Sequence, residues 1–222
     1  PEQRVKELAA PWKRSWKMMS SPSRRSLRTE RFDTIGMVAR WQPVHHGHAL
    51  VLRALCDCAG QALIGIGSSN RYDLRNPFTL QETADMIRLA LPGRENYTLI
   101  PVPDLDDGPR WRLMIRDLFG PLDLFVTANP YVASLLAKDY RIIKPVELIL
   151  EDERIAVDGT MVRREMARGT AWRDLVPKEI ADYIALQRLD ERFRREFGLQ
   201  TLALDATDTS RRLDVHVGRR YE

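Results

Sequence analysis

Gly36-Met37-Val38-Ala39-Arg40-Trp41-Gln42-Pro43-Val44-His45-His46-Gly47-His48 decides how this chain is read. An apolar run ends in a Pro-bearing turn, and a helical pattern begins at Gly47. Three of the chain's four histidines fall within four residues at that junction, with Arg40 just upstream. The first N–H groups of a helix have no intrahelical partner and sit at the positive end of its dipole, so a strand-to-helix turn is a ready anion site. Imidazole and guanidinium groups added there point to polyphosphate handling. Gly47 permits close approach of the backbone to a ligand. The bland alternative is an exposed, His-rich turn, and two histidines flanking a glycine at this junction weigh against it. No Cys, Asp or Glu shares the turn, so no protein-held metal such as zinc is expected.

Outward from this stretch, strands alternate with helices. Thr34–Ala39 reads as a first strand, followed by a helix over Gly47–Ala59 with Gly60 as its C-terminal stop. Ala62–Gly67 is apolar enough to be buried on both faces. Ser68–Asn76 is a polar loop, and Thr79-Leu80-Gln81-Glu82 is a capping box that opens a helix to Leu91. Tyr97–Val102 is a third strand, Arg110–Phe119 a short helix, and Leu122–Thr127 a fourth strand stopped by Asn129-Pro130, with another helix to Lys138. Arg141–Val157 holds one or two more short strands. Gly159–Ala167 and Lys178–Phe197 read as helices, the second with Pro177 at its start and Ile180, Ile184, Leu189, Phe193 and Phe197 on one side. The expected fold is α/β: a doubly wound, Rossmann-like parallel sheet with helices on both faces and a helical C-terminal part. Ligands bind such sheets at the carboxyl ends of the strands. There the sequence places His45 and His48, Ser68, Asp104 and Asn129.

Composition narrows the function classes. A 222-residue chain with 44% hydrophobic residues is long enough for one sizeable domain with appendages. No apolar run approaches the roughly 20 residues that span a bilayer. The N-terminus shows no apolar signal region, and the cysteine usage sets a reducing, cytoplasmic setting as the expectation. Cys56 and Cys58, two apart on a helix, face different directions and suit neither a metal clip nor a mutual disulfide. The net charge of +4 is unevenly spread, because residues 1–31 carry nine Lys/Arg against three Glu. The remainder is close to neutral, which argues against a nucleic-acid partner. Residues 1–31 therefore read as a basic N-terminal extension, 32–198 as the domain and 199–222 as a polar C-terminal tail. Within the extension Val5, Leu8, Trp12, Trp16 and Met19 recur at helical spacing around Pro11. This suits a terminal helix laid on the protein or a neighbouring subunit, or a basic amphipathic segment for a membrane surface, an acidic partner or organelle targeting.

His45-His46-Gly47-His48 matches the His-x-Gly-His signature, and the chain resembles the nucleotidyltransferase superfamily that carries it. Further blocks fall in the order seen in archaeal-type nicotinamide-mononucleotide adenylyltransferases. These are Arg40-Trp41-Gln42-Pro43, Gly67-Ser68, Arg75-Asn76-Pro77-Phe78-Thr79, Pro101-Val102-Pro103-Asp104, Trp111, Asn129-Pro130, Gly159-Thr160-Met161-Val162-Arg163-Arg164, Trp172 and Leu175-Val176-Pro177. The resemblance spans about residues 34–187.

This resemblance implies joining of the adenylyl group of ATP to nicotinamide mononucleotide (NMN), giving NAD and pyrophosphate, with Mg²⁺ arriving on ATP. It implies His45, His48 and Arg163 as catalytic groups, His48 stabilising charge on the α-phosphoryl group. Arg40, Gln42, Gly47, Arg75 and Thr160 would bind ATP, with Arg40 and Arg75 lining the phosphate path. Thr160 and Arg163 would grip the β- and γ-phosphates from the helix start at Gly159. Ser68, Asp104, Trp111 and Asn129 would bind the acceptor, with Trp111 stacking on its base. A homo-oligomer is also implied. The pattern is broken at Ala39, where the family has Gly, at Asp158, where it has Ser, and at Gly108, where it has Asn. Two other readings share the signature: a sister enzyme with another phosphorylated acceptor or CTP as donor, and a nucleotide-binding regulatory module without turnover. An aminoacyl-tRNA synthetase is disfavoured, because no second catalytic lysine motif or basic tRNA-binding domain is visible.

Overall fold

Five strands in the order β3-β2-β1-β4-β5, all parallel, form the centre of the protein in a computed structural model that describes residues 30–207. They are β1 (Phe32–Ala39), β2 (Ala59–Gly67), β3 (Tyr97–Val102), β4 (Leu124–Val126) and β5 (Ile142–Ile143). The order reverses between β1 and β4, which opens a crevice at their carboxyl ends, the place where such sheets bind ligands. The amphipathic reading of Val5–Met19 and the tail beyond residue 207 lie outside the described residues.

The helices follow the strands in α/β order: α1 (His46–Cys58), α2 (Leu80–Ala90), α3 (Gly108–Phe119), α4 (Pro130–Leu136), α5 (Gly159–Arg168), α6 (Lys178–Leu186) and α7 (Leu189–Phe193). Because side chains alternate along a strand, each strand feeds two cores. Ile35 and Met37 of β1, Ile64 and Ile66 of β2 and Leu124 and Val126 of β4 join the side packed by α1, α2 and the C-terminal helices. Phe125, between Leu124 and Val126, turns to the other face with Val102, Ile115, Phe119, Leu136 and Tyr140. Helices on both faces are what the alternation of elements predicts.

Several boundaries differ from expectation. The first helix does not end on Gly60. Ala59 is already extended (φ −116°, ψ 148°), so β2 starts where α1 stops and Gly60 lies inside the strand. Strand pairing wins there because Phe32 pairs with Ala59 and Thr34 with Gln61. The fourth strand is shorter than Leu122–Thr127, since Asp123 is spent accepting the N–H groups of Asp33 (2.7 Å) and Thr34 (3.0 Å). Arg141–Val157 yields one short strand and two 3₁₀ turns, Pro145–Glu147 and Glu151–Glu153.

The last helix is not continuous either. Arg188 takes a left-handed conformation (φ 54°) that separates α6 from α7. A π turn over Arg194–Gly198 follows, and the chain stays helical over residues 199–207. The apolar positions survive this break. Ile180, Ile184, Leu189 and Phe193 are all in the first core and Phe197 packs against it.

Candidate active site

The turn between β1 and α1 is braced by two side chains, Trp41 and Gln42. Trp41 is fully buried, adopts a left-handed backbone (φ 58°), and donates its indole N–H to the Gly65 carbonyl at 2.9 Å. Gln42 places both Nε2 hydrogens on the Phe78 carbonyl (3.0 Å) and Thr83 Oγ1 (3.2 Å), while its Oε1 accepts the Phe78 N–H (2.9 Å). Its side chain thus braces the turn against the start of α2. Only the Gln42 backbone carbonyl faces the candidate site, where it accepts from Arg163 Nη1 at 2.6 Å.

His45 caps α1, its Nδ1 accepting the His48 backbone N–H at 3.3 Å. A backbone N–H can only donate, so His45 Nδ1 is a lone pair and the neutral ring carries its proton on Nε2. For His48 the logic reverses. Its Nδ1 lies 3.3 Å from the Pro43 carbonyl, which can only accept, so the neutral ring has a bare Nε2. The two rings stack at 3.7 Å, and His48 also meets Trp41 edge-on at 4.9 Å. Burial holds the His45 imidazole well below the usual histidine range, and the neighbouring His48, His46 and Arg163 push the same way. Burial lowers His48 to about 4, against opposing pulls from the Pro43 carbonyl and Asp158. Each ring can therefore present a different species to an anion: His45 a neutral donor, His48 a donor only once it is protonated.

The N-terminus of α5 arrives at the same place. Asp158 caps this helix, accepting the Met161 N–H at 2.8 Å. A Cβ built at Gly159 would sit 2.9 Å from the Gln42 carbonyl oxygen and 3.0 Å from Arg163 Nη1. Glycine is therefore what lets α5 close on the histidine turn. Above Gly47 the space is bounded by the His45 ring at 3.3 Å and the Val157 carbonyl at 3.4 Å. Arg163 also reaches Thr160 Oγ1 (3.3 Å). Burial lowers its guanidinium to about 10, and the charges of Arg40 and Arg75 add to the effect. Three guanidinium groups and two helix N-termini thus share one corner, where anionic oxygens would relieve their mutual repulsion.

The loops that carry Arg75 and the acceptor candidates are zipped together. Asp73 Oδ1 accepts from the Arg75 N–H (2.8 Å), the Asn76 N–H (3.0 Å) and Asn76 Nδ2 (3.0 Å), folding the turn that presents Arg75. Arg192 of α7 holds the same loop through paired 2.6 Å contacts to Glu82 and a 3.0 Å bond to the Pro77 carbonyl. Ser68 Oγ donates to Asp104 Oδ2 (3.2 Å), Asn70 exchanges two hydrogen bonds with the Asp104 backbone, and Arg71 pairs with Asp106. Trp111 is half-buried on α3 against the second core. Asn129 is exposed and caps α4 through the Tyr131 (2.9 Å) and Val132 (3.5 Å) N–H groups.

His45, Gly47, His48, Thr160, Arg163, Arg40 and Arg75 therefore gather around one corner. Ser68 and Asp104 form a separate braced pair, and Trp111 and Asn129 stand at the starts of α3 and α4. Asp73, Tyr72 and Arg192 were not legible as site supports. Asp73 and Tyr72 read as plain loop residues, yet Tyr72 bonds Glu196 at 2.5 Å and packs on Phe197. Arg192 is 117 positions after Arg75 in the numbering, so no local pattern ties the two. Arg164 is ion-paired with Asp205 (2.8 Å).

A cytidylyltransferase-like family model matches residues 37–165, more than half of the chain. A nicotinamide-nucleotide adenylyltransferase from Methanococcus vannielii is 35% identical over 166 residues, covering 70% of this chain and 94% of that protein. One from Pyrococcus furiosus is 34% identical over 164 residues, covering 71% of this chain and 85% of its own. The chain belongs to this family of nucleotidyltransferases. Among solved structures, a bifunctional NMN adenylyltransferase/ADP-ribose pyrophosphatase from Francisella tularensis, complexed with AMP and manganese, superposes with a TM-score of 0.61 at 16% identity. That match covers 78% of this chain and 56% of the Francisella protein, a little over half its length, and it shows a shared fold. The family's histidine signature and its late Gly-Thr-x-x-Arg block are the two segments that meet at the corner just described. No helix among the described residues is long and apolar enough to cross a membrane.

Proposed function

We propose that the protein transfers the adenylyl group of ATP to NMN, forming NAD and pyrophosphate. The observation that carries this reading is the meeting of α1 and α5 N-termini with His45, His48 and Arg163, in a chain 35% identical to a nicotinamide-nucleotide adenylyltransferase. An oxygen of the acceptor's 5′-phosphate attacks the α-phosphorus of ATP. The bond from the α-phosphorus to the bridging oxygen breaks, and its electron pair leaves with pyrophosphate. No covalent enzyme intermediate is needed, so positioning and stabilisation of charge carry catalysis.

In this reading His45 donates from Nε2 as a neutral ring, and His48 donates as an imidazolium to the α-phosphoryl oxygens. Arg163 and Thr160 hold the β- and γ-phosphates, Arg40 and Arg75 line the way in, and Gly47 lets the backbone approach. Ser68, Asp104, Trp111 and Asn129 lie on the acceptor side. A divalent ion, Mg²⁺, comes as part of the ATP substrate. Among the described residues no group of three or more His, Cys, Asp or Glu side chains is placed to hold a metal, which suits an ion held by phosphate oxygens and water. The enzyme is a cytoplasmic homo-oligomer formed around residues 32–198, with light scattering as the check on assembly.

The experiment is incubation of the 222-residue chain with Mg²⁺, ATP and NMN, scored for NAD and pyrophosphate. NAD formation together with a kcat lower by about 10²–10³ for His48→Ala is the expected result. Tight ATP binding with pyrophosphate released only with CTP, or only with another phosphorylated acceptor, would move the assignment to a sister enzyme.

A further inference from the structure

Tyr131 stands in the first turn of α4 and is 60% exposed. Its ring reaches across to the first residue of α3, where a Cβ built on Gly108 would collide with the Tyr131 hydroxyl and lie 3.2 Å from Cζ. The same Cβ would lie 3.3 Å from Leu135 Cδ1. The absence of a side chain at Gly108 is therefore what gives the hydroxyl its place. This phenol bridges the starts of α3 and α4, the helices that carry Trp111 and Asn129.

Several other polar atoms at this mouth are already engaged. Asn129 Oδ1 caps α4, accepting the Tyr131 and Val132 N–H groups. Asp107 Oδ1 caps α3, accepting the Arg110 N–H at 3.0 Å. Asp104 is bonded to Ser68 and Asn70, and Asp106 is paired with Arg71. The Tyr131 hydroxyl makes no hydrogen bond among the described residues. A phenol can donate and accept.

In-line transfer sets where the acceptor comes from. The triphosphate corner lies on the α1 and α5 side of the sheet, so the attacking phosphate approaches from the opposite side of the α-phosphorus. The α3 and α4 starts lie on that other face, at the carboxyl ends of β3 and β4. The base of the acceptor, with its one polar substituent, then lies near the bridge between the two helices. We infer that Tyr131 is a specificity residue whose hydroxyl donates a hydrogen bond to the carboxamide oxygen of NMN, from the space that Gly108 leaves open. This rests on NMN being the acceptor.

The test is a cycle between enzyme and substrate, run with the full chain at saturating Mg²⁺ and ATP. The enzymes are wild type and Tyr131→Phe. The acceptors are NMN and the pyridine mononucleotide that lacks the carboxamide. With NMN, Tyr131→Phe loses on the order of tenfold in kcat/KM, mostly through KM, with KM for ATP unchanged. With the carboxamide-free acceptor, the two enzymes perform alike, which a merely structural role for the hydroxyl would not produce. Gly108→Ala, whose new methyl displaces the hydroxyl, repeats the NMN-specific loss. An unchanged KM for NMN in Tyr131→Phe, or an equal loss on both acceptors, overturns the inference while leaving the adenylyltransferase reading in place. Wild-type protein that binds ATP yet makes no NAD overturns both.

Discussion

Binding of ATP should draw a proton onto His48. The free ring has a pKa of about 4, and its Nδ1 is committed to the Pro43 carbonyl. At pH 7 the imidazolium is then present in about one molecule in a thousand, and forming it costs about 4 kcal/mol at 1.36 kcal/mol per unit. A bare Nε2 lone pair facing phosphate oxygens would be repelled, whereas the imidazolium donates to them. The triphosphate raises the pKa of the ring in the complex and offsets that cost. The sign follows from linkage: the bound state holds more protons than the free state, so affinity rises as pH falls. With ATP supplied as its magnesium complex, so that the phosphates stay ionised, Kd should weaken by close to tenfold per pH unit between the free-state and bound-state pKa values and level off above the latter. His45 adds nothing to this slope, because its Nδ1 accepts a backbone N–H and its neutral ring already donates. Titration calorimetry at one pH in buffers of differing ionisation enthalpy reads the uptake directly, approaching one proton per ATP below the bound-state pKa. His48→Asn, which keeps a donor and cannot titrate, should abolish it. Zero uptake by the wild type, with a Kd flat from pH 6 to 8, would refute the proton assignment drawn from Pro43.

Further outcomes follow from the same geometry. Gly159→Ala brings a methyl to 2.9 Å from the Gln42 carbonyl, pushing α5 off the histidine turn. KM for ATP should rise while KM for NMN changes little, as steady-state kinetics with each substrate varied will read. Arg192→Met breaks the tie to Glu82 and Pro77, and the pair is well shielded, with side chains 23% and 17% exposed. The expected result is a several-fold rise in KM for ATP and a lower urea midpoint, since the lost partner leaves Glu82 uncompensated. Folding stability should also depend on acid. His45, His46 and His48 all have pKa values lowered by burial, so the unfolded chain binds more protons below its own histidine pKa. Stability is thus whole above about pH 6.5 and falls as pH drops towards 4, by up to about 3 kcal/mol from His48 alone. Urea midpoints across that window check it, and a flat profile contradicts buried neutral rings.

What could be read ahead of the structure divides along physical lines. Alternation of apolar runs with helical patterns was enough for the doubly wound sheet, because strands buried on both faces leave short continuous apolar runs and amphipathic helices leave a 3.6-residue period, signals that need only local sequence. Thr79 and Glu82 were legible for the same reason, since both bonds of a capping box form within four residues. Local cues failed where a distant partner decides. Gly60 looks like a helix stop until Asp33 and the pairing of β1 with β2 claim it. Arg188 looks helical in sequence, yet it takes the left-handed conformation that separates α6 from α7.

The candidate site divides in the same way. His45, His48, Thr160 and Arg163 were legible as two short motifs, and the structure brings those motifs together. Gln42 sits within one of them yet faces Phe78 and Thr83, because a motif records that a residue matters without recording which way its side chain turns. Tyr131 and Gly108 carried no signal as a pair, being 23 positions apart in the numbering and joined only where α3 and α4 begin.

The central claim is that the histidine turn and the start of α5 clamp a triphosphate for adenylyl transfer to NMN. Its most direct test is a single progress curve with wild-type protein, Mg²⁺, ATP and NMN in which NAD and pyrophosphate are quantified together. The two should appear at the same rate, one for one, and neither should appear when NMN is omitted. ATP that binds but yields no NAD, or pyrophosphate released without a matching dinucleotide, would contradict it.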